Sequence, residues 1–238
     1  MLNDGAPLGH GLPQLRTDRL VPVGLQAYQT LRHAVVTLQL RPGQPLSEQG
    51  VAQQLRTSRT PVREAFIKLA DAGLFEVLPQ RGTFVRKISA KAVTDARFVR
   101  EAIELAVLRD AVGQMDADFS ARMRALIVEQ RAAAAAQELE RFMGLDDAFH
   151  RAFALATDRG HAWAVIETQK AQMDRVRYLS LPGATPVDRL IDQHEVILGA
   201  VERGDGPAAE AVMRIHLSEV LAALEPLRLE HPDLFEPE

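Results

Sequence analysis

Apolar residues recur at steps of three and four along almost the whole chain, and only one short region alternates. The first periodic run is 24–39, where Leu25, Tyr28, Leu31, Val35 and Leu38 make one stripe, and it stops before the Pro42-Gly43 turn. Ser47 is placed as an N-cap for a short helix over 48–55, with Val51 and Leu55 facing in. A second helix follows at once. Ser58 stands at its cap, Pro61 lies in its first turn, Val62, Ala65, Phe66, Leu69 and Ala70 form its inner stripe, and Gly73 ends it. FEVLP and TFVRKI alternate around QRG, which predicts a hairpin over about 75–87. ISAKAVTD, 88–95, reads as a linker running into a long helix.

Beyond it the pattern is helical throughout. The predicted segments are 92–114, 117–136, 138–157, 161–180, 186–203 and 206–225. Gly160, the LPGATP turn and the RGDGP turn separate the later ones, and Asp205 or Gly206 with Pro207 is a helix start. RAAAAAQ at 131–137 sits inside a helix. The expected fold is mainly α: a winged helix-turn-helix with a small β-hairpin, then an all-α bundle. The expected division is a flexible tail 1–23, a winged helix-turn-helix domain 24–87, a helical domain 88–229 and a frayed tail 230–238.

Composition narrows the chemistry. With no Cys among 238 residues, disulfides, thiolate catalysis and Cys-based zinc fingers are excluded. No apolar run approaches the ~18 residues of a membrane span, and the first residues lack a basic region followed by an apolar core, so the chain reads as cytoplasmic with no membrane partner. The net charge of -4 hides an asymmetry. Residues 1–88 hold 11 Lys and Arg against 6 Asp and Glu; residues 89–238 hold 17 against 26. A basic front and an acidic back suggest two domains with different partners.

The basic front has a layout that suits DNA. The N-terminal end of the second helix of a helix-turn-helix points into the major groove. Small hydroxyls there approach phosphates, free N–H groups attract them, and arginine forks onto guanine O6 and N7. Ser58, Arg59, Thr60 and Arg63 fit those roles, with the two arginines four apart on one face. Gln80, Arg81 and Gly82 would form a wing tip. A solvated helix face is the plain alternative for an isolated Arg pair; here the cap, the turn and the wing occur together, which favours DNA.

LRPGQPLSEQGVAQQLRTSRTPVREAFIKLADAGL followed by VLPQRGTFV closely resembles the winged helix-turn-helix of the GntR family of bacterial transcription regulators, over about residues 24–87. The resemblance implies DNA contact by Ser58, Arg59, Thr60, Arg63, Arg81 and Gly82, with Gln49 a further candidate. The family usually has Gly between the two helices, where this chain has Arg56 and Thr57. A non-Gly residue in a left-handed turn there carries strain of roughly 1 kcal/mol.

Of the seven histidines, His10, His33, His161 and His231 need no functional explanation. His194 falls within the stripe of Leu190, Ile191, Ile197, Leu198 and Val201, and His216 within that of Val212, Met213, Val220 and Leu224. Asp146 and His150 are four apart and share a helix face. Three His and one Asp on three facing helices would hold one divalent metal. From spacing alone, a surface Asp–His pair with two hydrogen-bonded core histidines fits as well.

AIELAVLRDAV, LDDAFHRAF, MDRVRYLSL, DQHEVILGAVERGD and AVMRIHL together look like the FCD ligand-binding domain of the FadR branch, over roughly 92–225. That resemblance implies a metal held by Asp146, His150, His194 and His216, zinc first, with nickel or manganese as alternatives. It also implies a small organic acid as effector, paired with Arg100, and with Arg175 and Arg177 as further candidates. The expected protein is therefore a homodimeric transcription regulator, a repressor, on two-fold operator DNA, and not an enzyme. The rival readings are a regulator that answers to the metal alone and a metal-dependent hydrolase, the latter lacking a general base or nucleophile motif.

Overall fold

The computed structural model describes residues 12–15, 21–181, 183 and 185–237. Most of the tail expected over 1–23, with His10, lies outside those residues, as do Pro182 and Ala184 of the LPGATP turn. The chain divides into two compact units: Met1–Ser89 together with His231–Glu238, and Ala90–Glu230.

The first unit holds α1 (Val23–Val36), β1 (Pro45–Leu46), α2 (Glu48–Gln54), α3 (Arg59–Asp71), β2 (Phe75–Leu78) and β3 (Gly82–Val85). This is a winged helix-turn-helix. Ser47 caps α2, its hydroxyl accepting from the Gly50 amide at 3.0 Å. Val62, Ala65, Phe66 and Leu69 are the buried face of α3, and the Phe66 ring meets Phe75 edge to face at 4.9 Å, which ties α3 to the wing. The wing has a strand that the sequence pattern did not suggest: β1 adds to β3, giving the antiparallel order β1-β3-β2. Two residues are too few to show alternation.

Helix α1 ends earlier than its stripe predicts. Leu38 adopts φ 58 and the Leu40 amide returns to the Ala34 carbonyl at 2.9 Å, closing the helix and burying Leu40. Its inner face is Ala27, Leu31, Ala34 and Val35, whereas Leu25 is exposed. At the other end of the chain, the expected frayed tail is ordered over its described residues 231–237. The Ile88 amide donates to Leu234 O and the Glu236 amide to Ile88 O, both at 2.9 Å, and Ile88, Leu234 and Phe235 are buried.

The second unit holds α4 (Ala90–Ala111), α5 (Ala117–Ala135), α6 (Leu139–Ala156), α7 (Gly160–Gln169), α8 (Ala171–Ser180), α9 (Val187–Glu202) and α10 (Gly206–Glu230). The expected linker 88–95 is mostly helix, since α4 starts at Ala90. The single helix expected over 161–180 breaks at Lys170. That lysine is buried, and its Nζ is held by Asp147 at 2.6 Å and by Asp174 at 2.8 Å, so ion pairing fixes the joint where apolar periodicity ran on. Helix α9 packs on α5 and α10, and α4 packs on α6, α8 and α10. The α9–α10 connection is short. Gly204 adopts φ 71, the Asp205 amide closes onto Ala200 O at 2.9 Å, and Asp205 Oδ1 caps α10 through the Ala208 amide at 3.1 Å. So tight a turn makes the two helices neighbours and places His194 beside His216. Among the described residues no helix is long and apolar enough to cross a membrane.

Candidate functional site

Three helices of the second unit deliver four side chains to one point. Asp146 and His150 lie one turn apart on the buried face of α6, between Phe142, Phe149 and Phe153. His194 lies on α9 with Ile191, Ile197 and Leu198, and its ring stacks on Phe149 at 4.0 Å. His216 lies on α10 with Met213, Leu217 and Val220. One potential ligand atom from each of the four comes within 4.8 Å of the others, and all four residues are buried. His216 Nε2 lies 3.0 Å from His150 Nε2 and 3.2 Å from His194 Nε2. Asp146 Oδ1 lies 3.6 Å from His194 Nε2.

The outward nitrogens decide what those contacts are. Gln130 donates its amide to Leu145 O at 3.1 Å, so its oxygen is the atom 2.8 Å from His194 Nδ1. Gln193 donates to Glu219 Oε1 at 2.8 Å, so its oxygen is the atom 2.9 Å from His216 Nδ1. Glu104 Oε2 lies 2.5 Å from His150 Nδ1. Gln130 and Gln193 thus fix the proton on Nδ1 of His194 and His216, and the Glu104 carboxylate beside Nδ1 of His150 favours the same tautomer, which directs three Nε2 lone pairs at one another. Lone pair against lone pair is not a hydrogen bond. A cation at the centre would resolve it, because ligand atoms held at about 2.0–2.1 Å from one ion stand about 3 Å from one another. The donor set fits a divalent metal.

Electrostatics agree. Burial pushes His194 down to about 3 and His216 well below the usual imidazole value, so both are neutral, as ligands must be. Burial works against the ionised form of Asp146, yet Arg177 chiefly, then His150 and His194, keep its carboxyl below the ordinary value. Burial likewise opposes ionisation of Glu104, and Arg100 and His150 outweigh it, holding the carboxyl at about 2. Arg177 Nη2 donates to Asp146 Oδ2 at 2.5 Å and Nη1 to Asp147 and Asp174 at 3.1 Å each.

A cavity of about 30 Å³ adjoins the cluster, lined by Arg100, Asp146, Arg177, His216 and Glu219, by the hydroxyl residues Ser180 and Thr185, and by apolar residues. Arg100 is bonded through Nε to Glu104, and its buried Nη2 has no hydrogen-bond partner among the described residues. A buried guanidinium N–H beside a cavity is a place for an anion. Arg175 is different. It sits two residues from Arg177, hence on the opposite side of α8; it is fully buried, donates to Gln172 at 3.1 Å and does not line the cavity.

In the first unit, Gln49, Ser58, Arg59, Thr60, Arg63, Arg81 and Gly82 are all exposed. Ser58 occupies the N-cap position of α3, but its hydroxyl makes no capping bond, which leaves the first-turn amides open to a phosphate. Arg81 lies at the wing turn with its guanidinium 6.0 Å from the Phe84 ring. Arg59 and Arg63 share a partner that the sequence pattern did not suggest. Glu48, at the start of α2, accepts from both at 3.1 Å, and its hydrogen bond to Arg63 above all holds its carboxyl below the ordinary value.

Glu104, Gln130 and Gln193 were also missed as site residues. One signal existed for Gln130. It interrupts the buried stripe Phe119, Met123, Ile127 and Ala133, and an amide in such a stripe needs partners.

Comparison with known proteins completes the picture. The profile of the FCD domain matches residues 95–219, and that of bacterial regulatory proteins of the gntR family matches 24–85. The HTH-type transcriptional repressor RspR of Escherichia coli (strain K12) is 41% identical over 217 residues, covering 91% of this chain and 95% of its own. The HTH-type transcriptional regulator LutR of Bacillus subtilis (strain 168) is 29% identical over 206 residues, covering 76% of this chain and 92% of its own. Among solved structures, E. coli McbR/YncC shares the fold with a TM-score of 0.75 at 21% identity, covering 87% of this chain and 98% of its own.

Proposed function

The chain belongs to the GntR family of bacterial regulatory proteins and carries that family's FCD domain, and on that premise we propose that a divalent metal and a small organic acid, bound together in the helical unit, set the affinity of the winged helix for operator DNA. It is a DNA-binding transcription regulator, not an enzyme.

The observation that supports the metal is the set of three imidazoles whose Nδ1 atoms each lie beside an outward oxygen while their Nε2 atoms converge beside Asp146. Asp146, His150, His194 and His216 would hold the ion. Zinc suits three nitrogens and one carboxylate, with nickel or manganese as alternatives. When bound, it supplies a Lewis-acidic point for a carboxylate. Arg100 Nη2 would take the effector's second oxygen or its neighbour, and Arg177 would line the same cavity. The effector alters DNA affinity only through its unequal affinity for two arrangements of the protein. Two copies of the chain, each presenting α3 to a major groove with Arg81 and Gly82 at the wing, would match a two-fold operator and repress by occupying it.

Metal analysis after dialysis is the test. The wild type retains about one equivalent per chain, and the double variant His194→Ala, His216→Ala retains none. Full retention by the double variant overturns the site. Operator affinity is then titrated with metal alone and with metal plus a panel of small acids. A response to metal that no acid alters would make the ion itself the effector.

A further inference from the structure

Glu48 reaches from the start of α2 across the joint to the recognition helix. Its Oε2 accepts from Arg59 Nη2 at 3.1 Å, and its Oε1 and Oε2 accept from Arg63 Nε at 3.1 and 3.3 Å. The side chains of Arg59 and Arg63 are 59% and 61% exposed, and that of Glu48 only 25%. The anion is therefore at the base of the group and the two cations project from it. Exposed pairs of this kind contribute little to stability, so the arrangement calls for another role.

The atoms engaged suggest one. Glu48 holds Arg63 by Nε alone, which leaves Nη1 and Nη2, the forked pair that matches guanine O6 and N7. A long, rotamer-rich side chain held in advance loses less freedom when it docks. The carboxylate also faces whatever the arginines face. Against a duplex it repels phosphates, so arginine–phosphate pairing on DNA of the wrong sequence is penalised while the base contact is kept.

We propose that Glu48 is a positioning and specificity-determining residue of the DNA interface: it stays bonded to Arg63 Nε in the complex, presents that guanidinium end-on to a guanine, and weakens binding to non-operator DNA. This rests on the assignment of α3 to the major groove. It makes an acidic side chain, which simple electrostatics would count against DNA binding, part of how the sequence is read.

The experiment uses the full chain and an operator duplex recovered by selecting genomic fragments with the wild type. Affinity for that operator and for a random duplex of equal length is measured at one salt concentration for wild type, Glu48→Gln and Arg63→Ala. Base preference is measured by selection from a pool randomised within the operator. For Glu48→Gln the ratio of operator to random affinity is expected to fall about tenfold, from weaker operator binding and tighter random binding, and one guanine per half-site loses its preference. A ratio and preference equal to wild type, with Arg63→Ala impaired, overturns the role of Glu48. Wild-type operator binding by Arg63→Ala overturns the assignment of α3 itself, and the proposal with it.

Discussion

Gln193 accepts from Nδ1 of His216 at 2.9 Å, and the opposite end of the same amide donates to Glu219 at 2.8 Å. The amide therefore cannot turn over without losing a charge-assisted bond, and His216 is held in the tautomer whose Nε2 is a lone pair.

Gln193→Leu removes that acceptor at similar size. Metal affinity, measured by competition with a chelating dye, is expected to weaken about 10–100-fold. Gln193→Glu keeps an acceptor on Nδ1 but sets a carboxylate against Glu219, so the double variant Gln193→Glu, Glu219→Gln, which restores that bond, should bind nearly as the wild type does. Equal affinity in the Leu variant would show that His216 needs no help in presenting Nε2.

Acid should destabilise the metal-stripped protein well before ordinary carboxylates titrate. Burial lowers His194 to about 3 and His216 well below its usual value, while both take protons near 6.5 in the unfolded chain. Below about pH 6.5 the unfolded state thus binds more protons, and stability falls as pH falls, by roughly 1 kcal/mol per pH unit for each histidine. The loss is complete only below about 3 for His194. Glu104, held at about 2, adds a loss of the same sign below about 4.5. Urea melts at pH 7, 6 and 5 would reveal the slope, and a flat profile over that range would contradict it.

The sequence made much of this legible. Ser58, Arg59, Arg63 and the wing announce themselves by type and order over a few residues, because a recognition helix is a local object. The candidate ligands Asp146, His150, His194 and His216 are local only in pairs or singly; periodicity places each on an apolar face, and family resemblance was needed to unite them. The residues that orient them were invisible for a physical reason. Gln130 lies 64 residues from His194, and Glu104 reaches His150 from another helix, so no spacing rule connects them. Glu48 carried no signal in the sequence, since its partners lie 11 and 15 residues on. Lys170 broke a helix that apolar periodicity had drawn straight through, because buried ion pairs leave no periodic trace.

The C-terminal segment is an integral part of the first unit, so its removal should loosen that unit. Phe235 is 2% exposed, and the backbone on either side of it is bonded to Ile88. Phe235→Ala is expected to cost about 3–5 kcal/mol. Hydrogen exchange at the amides of Ile88 and Glu236 should accelerate, while metal content, which depends on α6, α9 and α10, stays at the wild-type level. Unchanged protection at Ile88 would mean that the segment is not docked in solution.

Arg56 occupies the joint of the helix-turn-helix with φ 52. Its amide donates to Gln53 O at 3.2 Å, and the Thr57 amide donates to Ala52 O at 3.0 Å. These are the paired bonds that close a helix C-terminus around a left-handed residue. A Cβ in that conformation crowds the following carbonyl at a cost of about 1 kcal/mol, and glycine has none. Glycine also gives the unfolded chain more freedom, which offsets part of the gain. Arg56→Gly should therefore raise stability by about 0.5–1 kcal/mol, and Arg56→Asn by less, as read from denaturant melts. A loss of stability in Arg56→Gly would mean that contacts of the arginine side chain outweigh the strain of its backbone, and that this chain departs from glycine at the joint because it gains by doing so.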